Sequence, residues 1–177
     1  NKDNEVILKG SDIFKYHTNP NSNYIVFNPQ NFQQVAPIEM YRAPEKLLYR
    51  FISSQLVFAY DDKQTLSLNS CNVVIPKLEG LHIKYILAIL NSRIAQFIYK
   101  MEFHSVKVLR SHIENIPIPD VNAGMQNSII QAVEPLINGL PPEEAQIAYE
   151  QLDQLIFKLF LDTSTRSLLF QVFSSIF

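Results

Sequence analysis

Residues 41–76 read YRAPEKLLYRFISSQLVFAYDDKQTLSLNSCNVVIP, and this stretch decides the fold. Three pieces of it, LLYRFI (47–52), QLVFAY (55–60) and CNVVIP (71–76), are rich in β-branched and aromatic residues and predict strands. The polar run Asp61-Asp62-Lys63-Gln64 predicts a turn between two of them. Leu66 and Leu68, then Val73 and Ile75, alternate on either side of a turn-like Asn69-Ser70. The result is a small sheet with Arg42, Lys46, Arg50 and Lys63 at its edges. It reads as a scaffold that presents polar groups, not as a catalytic constellation.

Upstream, Glu5–Lys9 and Tyr24–Phe27 read as two further strands, separated by a loop, HTNPNSN (17–23). Gly10 is expected to supply a positive φ before a turn or short helix in residues 11–16. Asn28–Asn31 reads as a turn, and Phe32–Met40 as a connection or a short helix stopped at Pro37. Downstream of Lys77–Gly80 the period changes. Ile83, Ile86, Leu87, Leu90, Ile94, Phe97 and Ile98 recur at three and four residues and predict one helix, about 81–100, with that face buried. Lys84, Asn91, Ser92 and Gln96 fall away from the stripe. FHSVKVLR (103–110) reads as a loop turning into a strand, and IENIPIP (113–119) as extended chain.

From Val121 basic residues nearly vanish. Residues 125–139 read as a helix stopped by Gly139, with Pro135 inside it. Pro141-Pro142-Glu143-Glu144 starts another, which turns Ile147, Leu152, Leu155, Ile156, Leu159 and Phe160 inward. Asp162–Thr165 reads as its break, and Leu168–Phe177 as a last core helix or a face belonging to a neighbouring domain. The fold class expected is α+β: a small mixed or antiparallel sheet with a long buttressing helix, then a helical C-terminal extension. The expected division is 1–120 and 121–177.

Composition bounds the function. The 177 residues are 47% hydrophobic, enough for an ordinary core. No apolar run reaches a membrane span: the segment Leu81–Tyr99 is interrupted by His82, Lys84 and Arg93. The polar opening NKDNEVILKG has no signal-peptide core and no initial Met, so we expect a piece of a longer protein. The single Cys71 excludes an internal disulfide and suits a cytoplasmic setting. Residues 1–119 carry 13 Lys/Arg against 10 Asp/Glu, net +3, whereas 120–177 carry 2 against 7, net −5. Any polyanion is therefore expected to face the first part.

Much chemistry is missing. The glycines, at 10, 80, 124 and 139, form no phosphate loop. His17, His82, His104 and His112 are scattered and read as structural or solvated. No Gly-x-Ser-x-Gly elbow and no Glu-x-Lys of a metal-dependent nuclease occur. Most Tyr and Phe residues fit core stripes, with Tyr41, Phe103 and Tyr60 bordering polar loops as the better candidates for base stacking.

The order of segments resembles the TaqI-like C-terminal specificity domain. The resemblance rests on LKGSDIFKY (8–16), PEKLLYRFISSQLVFAYDD (44–62), LSLNSCNVVIP (66–76), YILAILNSRIAQFIYK (85–100) and LRSHIENIPIP (109–119), with LDQLIFKLFLDTSTRSLLFQVF (152–173) as the helical tail. It implies a non-catalytic reader of double-stranded DNA in a restriction-modification enzyme. An N-terminal adenine-specific methyltransferase domain would bind S-adenosylmethionine and flip the base, and any endonuclease activity would also lie elsewhere in the parent. That domain's Asn-Pro-Pro-Tyr motif is absent here, since Asn28-Pro29 continues as Gln-Asn. The resemblance implies regions, from which Lys15, Arg42, Lys46, Arg50 and Lys107 are expected at phosphates. Lys63, Gln64, His104, Ser105 and Arg110 are expected at base edges or in the groove. No cofactor is expected in this chain. Two other readings stand beside it: half of a multisubunit specificity subunit, although no heptad seam is seen, and a protein-assembly module that does not touch DNA.

Overall fold

The structure is a computed structural model that describes residues 4–21, 23–33 and 35–161. The break expected at Asp162–Thr165 and the apolar segment Leu168–Phe177 lie outside the described residues. The fold is α+β, with the strands divided between two small sheets. β1 (Asn4–Leu8) pairs antiparallel with β2 (Tyr24–Val26) and parallel with β5 (Leu66–Ser67). β3 (Lys46–Arg50) is the centre of the second sheet, antiparallel to both β4 (Phe58–Asp61) and β6 (Cys71–Val74). The three strands expected in 41–76 are therefore the second sheet. Both of its faces are covered: Leu47 and Phe58 lie in the main core, Leu48 and Ala59 in a smaller one, and all four are fully buried.

Among the described residues six α-helices follow or interrupt the strands. α1 (Ile38–Tyr41) starts after Pro37 instead of being stopped there, because proline's missing N–H costs nothing ahead of a first turn. The helix expected over 81–100 is two: α2 (Ile83–Asn91) and α3 (Arg93–Glu102). Ser92 breaks it. Its backbone is extended (φ −65°, ψ 159°), its hydroxyl accepts from Ala95 N at 3.2 Å, and it donates to Ile89 O at 2.7 Å. It ends one helix and N-caps the next. Phe97, expected in the buried stripe, is 55% exposed: α3 starts afresh at this break and buries Ala95, Ile98 and Tyr99 instead.

α4 (Arg110–Glu114) replaces part of the extended chain expected before the prolines, and 103–110 forms only an isolated bridge, Ile52 to Lys107. α5 (Ala123–Asn138) runs through Pro135, and α6 (Pro142–Leu161) follows. Leu152, Ile156, Leu159 and Phe160 face inward as expected, but Ile147 is exposed and Leu155 lies at the margin. Ile129, Val133 and Leu136 of α5 join Tyr85, Leu87 and Ile89 of α2 and the sheet's Phe58 in one core. Each such buried aliphatic side chain stabilises by about 1.5–3 kcal/mol. No helix among the described residues is long and apolar enough to cross a membrane.

Gly10 has no positive φ. The positive-φ glycines are Gly80 and Gly139. What Gly10 provides is close approach: its N–H bonds Ser70 Oγ at 3.0 Å, and a Cβ would sit 2.7 Å from Ser70 O. Next to it Asp12, fully buried, accepts from Lys9 N and from the Asn21 amide and so shapes the loop after β1. Gly10→Ala is expected to destabilise the domain by about 1–3 kcal/mol, the usual cost of forcing a carbon into packed backbone. Urea unfolding measures it, and a loss under a few tenths would show that the Ser70 turn yields.

Candidate nucleic-acid interface

β3 has two ends about 13 Å apart, at the usual rise per residue, and the expected site residues are divided between them. The start of β3 is a place of neutralised charge. Lys46, expected at a phosphate, is fully buried instead. Its Nζ donates to Asp61 Oδ2 at 2.5 Å and to Tyr41 O at 2.8 Å. Asp61, expected in a turn, is the last residue of β4, directly opposite Lys46 in the ladder. A cation with no exposed surface cannot reach a phosphate. Arg42 makes a two-pronged pair with Glu5, at 2.6 and 2.9 Å, and this pair holds the Glu5 carboxyl below its ordinary range. A weaker bond from Arg42 reaches Gln64 O at 3.4 Å. Gln64 (φ 54°) and Lys63 are exposed at this end, beside Asp62. Tyr41 is buried, and the Tyr60 hydroxyl bonds Glu45, so neither is open to a base.

Lys15 is also engaged. Its Nζ donates to Asn91 O and to Tyr149 OH, both at 3.0 Å, tying the loop after β1 to the end of α2 and to α6. Burial pushes its ammonium down to about 8, with Asp153 pulling in the other direction. It acts as a strut here, not as a free surface cation.

The far end of β3 is built differently. Arg50 Nε donates to Ile13 O at 2.7 Å, and its guanidinium lies 5.5 Å from the Phe14 ring, so its stem packs against the sheet while the head stays near the surface. Past it, residues 51–53 run beside 106–108. Ser53 N donates to Val106 O and Val108 N to Phe51 O, both at 2.8 Å, around the bridge between Ile52 and Lys107. Ser105 Oγ accepts from Lys107 N at 3.0 Å and shapes the bend. Phe103 stacks on His112 at 4.1 Å and meets Tyr99, which fixes the loop to α3 and leaves Phe103 half-buried. His104 and Lys107 are exposed, and Lys107 forms no ion pair among the described residues. Arg110 is open to solvent and held by Glu114 at 2.6 Å. The structure thus brings Arg50, His104, Ser105, Lys107 and Arg110 to one end, and Arg42, Lys46, Lys63 and Gln64 to the other.

Sequence reasoning missed three groups. Asn91 and Gln96 fall away from the apolar stripe in the sequence, yet their amides close on β4 and the chain leading into it: Asn91 accepts from Phe58 N and donates to Phe58 O, and Gln96 does the same with Leu56. Two side chains so replace a neighbouring strand along this edge. Gln126 pairs in the same way with His82 N and Gly80 O. The third group is apolar: Ile52 and Val106, at the ribbon tip, are 63% and 64% exposed.

A groove of about 1060 Å³ lies beside β6, between α1 and α4. Glu39, Glu79, Glu114 and Asp120 outnumber Lys77 and Arg110 around it, which makes it a poor place for a phosphate. Among the described residues no cluster of His, Cys, Asp or Glu could hold a metal ion.

A rigid α+β scaffold that lifts an acid-free ribbon from one end of a sheet belongs to the class of presenting modules. The comparison with family models is specific: the TaqI-like C-terminal specificity domain model matches residues 5–118, and the chain belongs to that family. It is therefore a specificity domain of the restriction-modification kind, whose part is DNA recognition. A search of curated proteins finds no match to the chain.

Proposed function

We propose that the chain reads the base sequence of double-stranded DNA for an S-adenosylmethionine-dependent, adenine-specific methyltransferase of a restriction-modification system. The methyltransferase domain would lie N-terminal in the same cytoplasmic protein and would hold the cofactor, while this chain supplies recognition. The observation that carries the choice of face is charge. Segments 51–56 (FISSQL) and 103–109 (FHSVKVL) contain no Asp or Glu, and their ionisable groups are His104 and Lys107. Lys107, Arg50 and Arg110 are assigned to phosphates, which set register. His104 and Ser105 are assigned to base edges. Lys63 and Gln64, at the other end of β3, fall outside this face.

The test is binding of the full-length protein to duplex DNA across a salt series. Affinity is expected to fall steeply with salt, and Lys107→Ala is expected to weaken all sequences alike and to lower the logarithmic salt slope by about 1. Salt-independent retention, or a Lys107→Ala protein indistinguishable from the parent, would overturn this face. The acid-rimmed groove beside β6 favours a second reading, a surface for a protein partner. That reading gains if DNA retention fails altogether.

A further inference from the structure

We propose that the ribbon of residues 51–53 and 106–108 enters the major groove and that Ile52 reads the C5-methyl group of a thymine, with Lys107 beside it on a phosphate. This rests on the DNA-reading function proposed above and adds the chemistry of one contact.

The geometry begins with the hydrogen bonds. Ser53 N to Val106 O and Val108 N to Phe51 O flank the Ile52–Lys107 pair without passing through it. In an antiparallel pair this makes Ile52 and Lys107 a non-hydrogen-bonded pair, the kind in which opposite residues come closest and share a face. The next pair inward, Phe51 and Val108, points to the other face, where Val108 is 1% exposed and anchors the ribbon in the core. Ile52 and Lys107 therefore stand on the outward face, with Ile52 63% exposed.

A single exposed isoleucine needs no explanation on its own. This one has particular company. It shares its face with an exposed lysine that forms no ion pair among the described residues, and it stands in two segments free of acids, among Ser53, Ser54 and Ser105. A protein interface would be served by the apolar tip, but the cation and the absence of carboxylates fit a polyanion. A two-stranded ribbon is one of the shapes that B-DNA's major groove admits, and the thymine methyl is the apolar group displayed there. A β-branched side chain is stiff at χ1, so docking it loses little rotamer freedom.

The experiment starts from the sequence that the full-length protein selects out of random duplex DNA. Each thymine of that sequence is then replaced by uracil, which deletes only the methyl group. At one position the change is expected to weaken wild-type binding about fourfold, the value of one buried methyl. Ile52→Ala is expected to bind the thymine and uracil duplexes equally, whereas Lys107→Ala weakens both and keeps the difference. Because Ile52 is exposed, the variant's unfolding midpoint is expected to match the wild type, and this is measured alongside. The assignment is overturned if wild type selects a sequence but is indifferent to every methyl, if that sequence contains no thymine, or if Ile52→Ala still discriminates. A wild type that selects no sequence at all overturns the DNA-reading function itself, which distinguishes the two failures.

Discussion

Asp61→Ala will cost the domain about 3–5 kcal/mol, the range found when one partner of a buried ion pair is removed. The side chains of Lys46 and Asp61 are 0% and 3% exposed, and Asp61 holds more than the lysine. It also accepts from Thr65 N at 3.0 Å and Thr65 Oγ1 at 2.6 Å, so it fixes the turn that carries the chain from β4 to β5. With the carboxylate gone, a buried ammonium keeps only Tyr41 O and loses its counter-charge. Lys46→Met should do comparable damage from the other side by stranding the carboxylate. The double variant Lys46→Met/Asp61→Ala should lose clearly less than the two single losses added together, because it leaves no buried charge unpaired. Urea unfolding of the four proteins checks this. A single-variant loss below about 1 kcal/mol would mean that the pair behaves as a surface ion pair. The same series separates structure from recognition: a Lys46 variant should affect DNA binding only in proportion to the protein it unfolds.

The sequence sets Lys46 at an edge of the sheet, in a region where the resemblance implies phosphate contacts. What buries it is the ladder register that sets it opposite Asp61, fifteen residues on, and register is not written in composition. The strands themselves were legible, since runs such as KLLYR and CNVV carry β-branched and aromatic residues between polar breaks. The division into two sheets was not, because it depends on β5 leaving β6 to lie parallel to β1. The break at Ser92 was hidden for a different reason. The apolar stripe continues across it from Leu90 to Ile94, and periodicity cannot register one serine that caps in both directions. At the candidate interface the polar loop His104–Lys107 could be picked out. Ile52 could not, since it simply extends the apolar pattern of β3, and its exposure is set by where the ribbon leaves the sheet.

Asn91→Leu is the second large effect, expected to cost about 2–4 kcal/mol: about 1–3 for the buried Phe58 N–H left without a partner and about 1 for the bond lost at Phe58 O. Asn91 is 0% exposed and sits at the end of α2. Its Oδ1 accepts from Phe58 N at 3.0 Å and its Nδ2 donates to Phe58 O at 2.9 Å. Phe58 O keeps a second donor in Tyr16 N at 2.7 Å, but Phe58 N has no substitute. Leucine has as many side-chain heavy atoms as asparagine and leaves no cavity, so the loss reports the hydrogen bonds together with the crowding of its larger methyl groups. Asn91→Asp should be worse, because it keeps the acceptor, points a second oxygen at Phe58 O and buries a charge. Gln96→Leu should cost less, about 1–2 kcal/mol, since Gln96 is only half-buried and water can reach Leu56 in its place. Amide exchange separates the cases: the Phe58 N–H should lose its protection in Asn91→Leu and the Leu56 N–H in Gln96→Leu. The second loss bears on recognition. Leu56 closes the loop that begins at Phe51, and the Gln96 amide ties the end of that loop to α3. Releasing it should leave phosphate-dependent affinity nearly intact and relax base preference at the position that the ribbon reads. Full loss of both together would instead mean that this amide supports the whole DNA-facing end and not the loop alone.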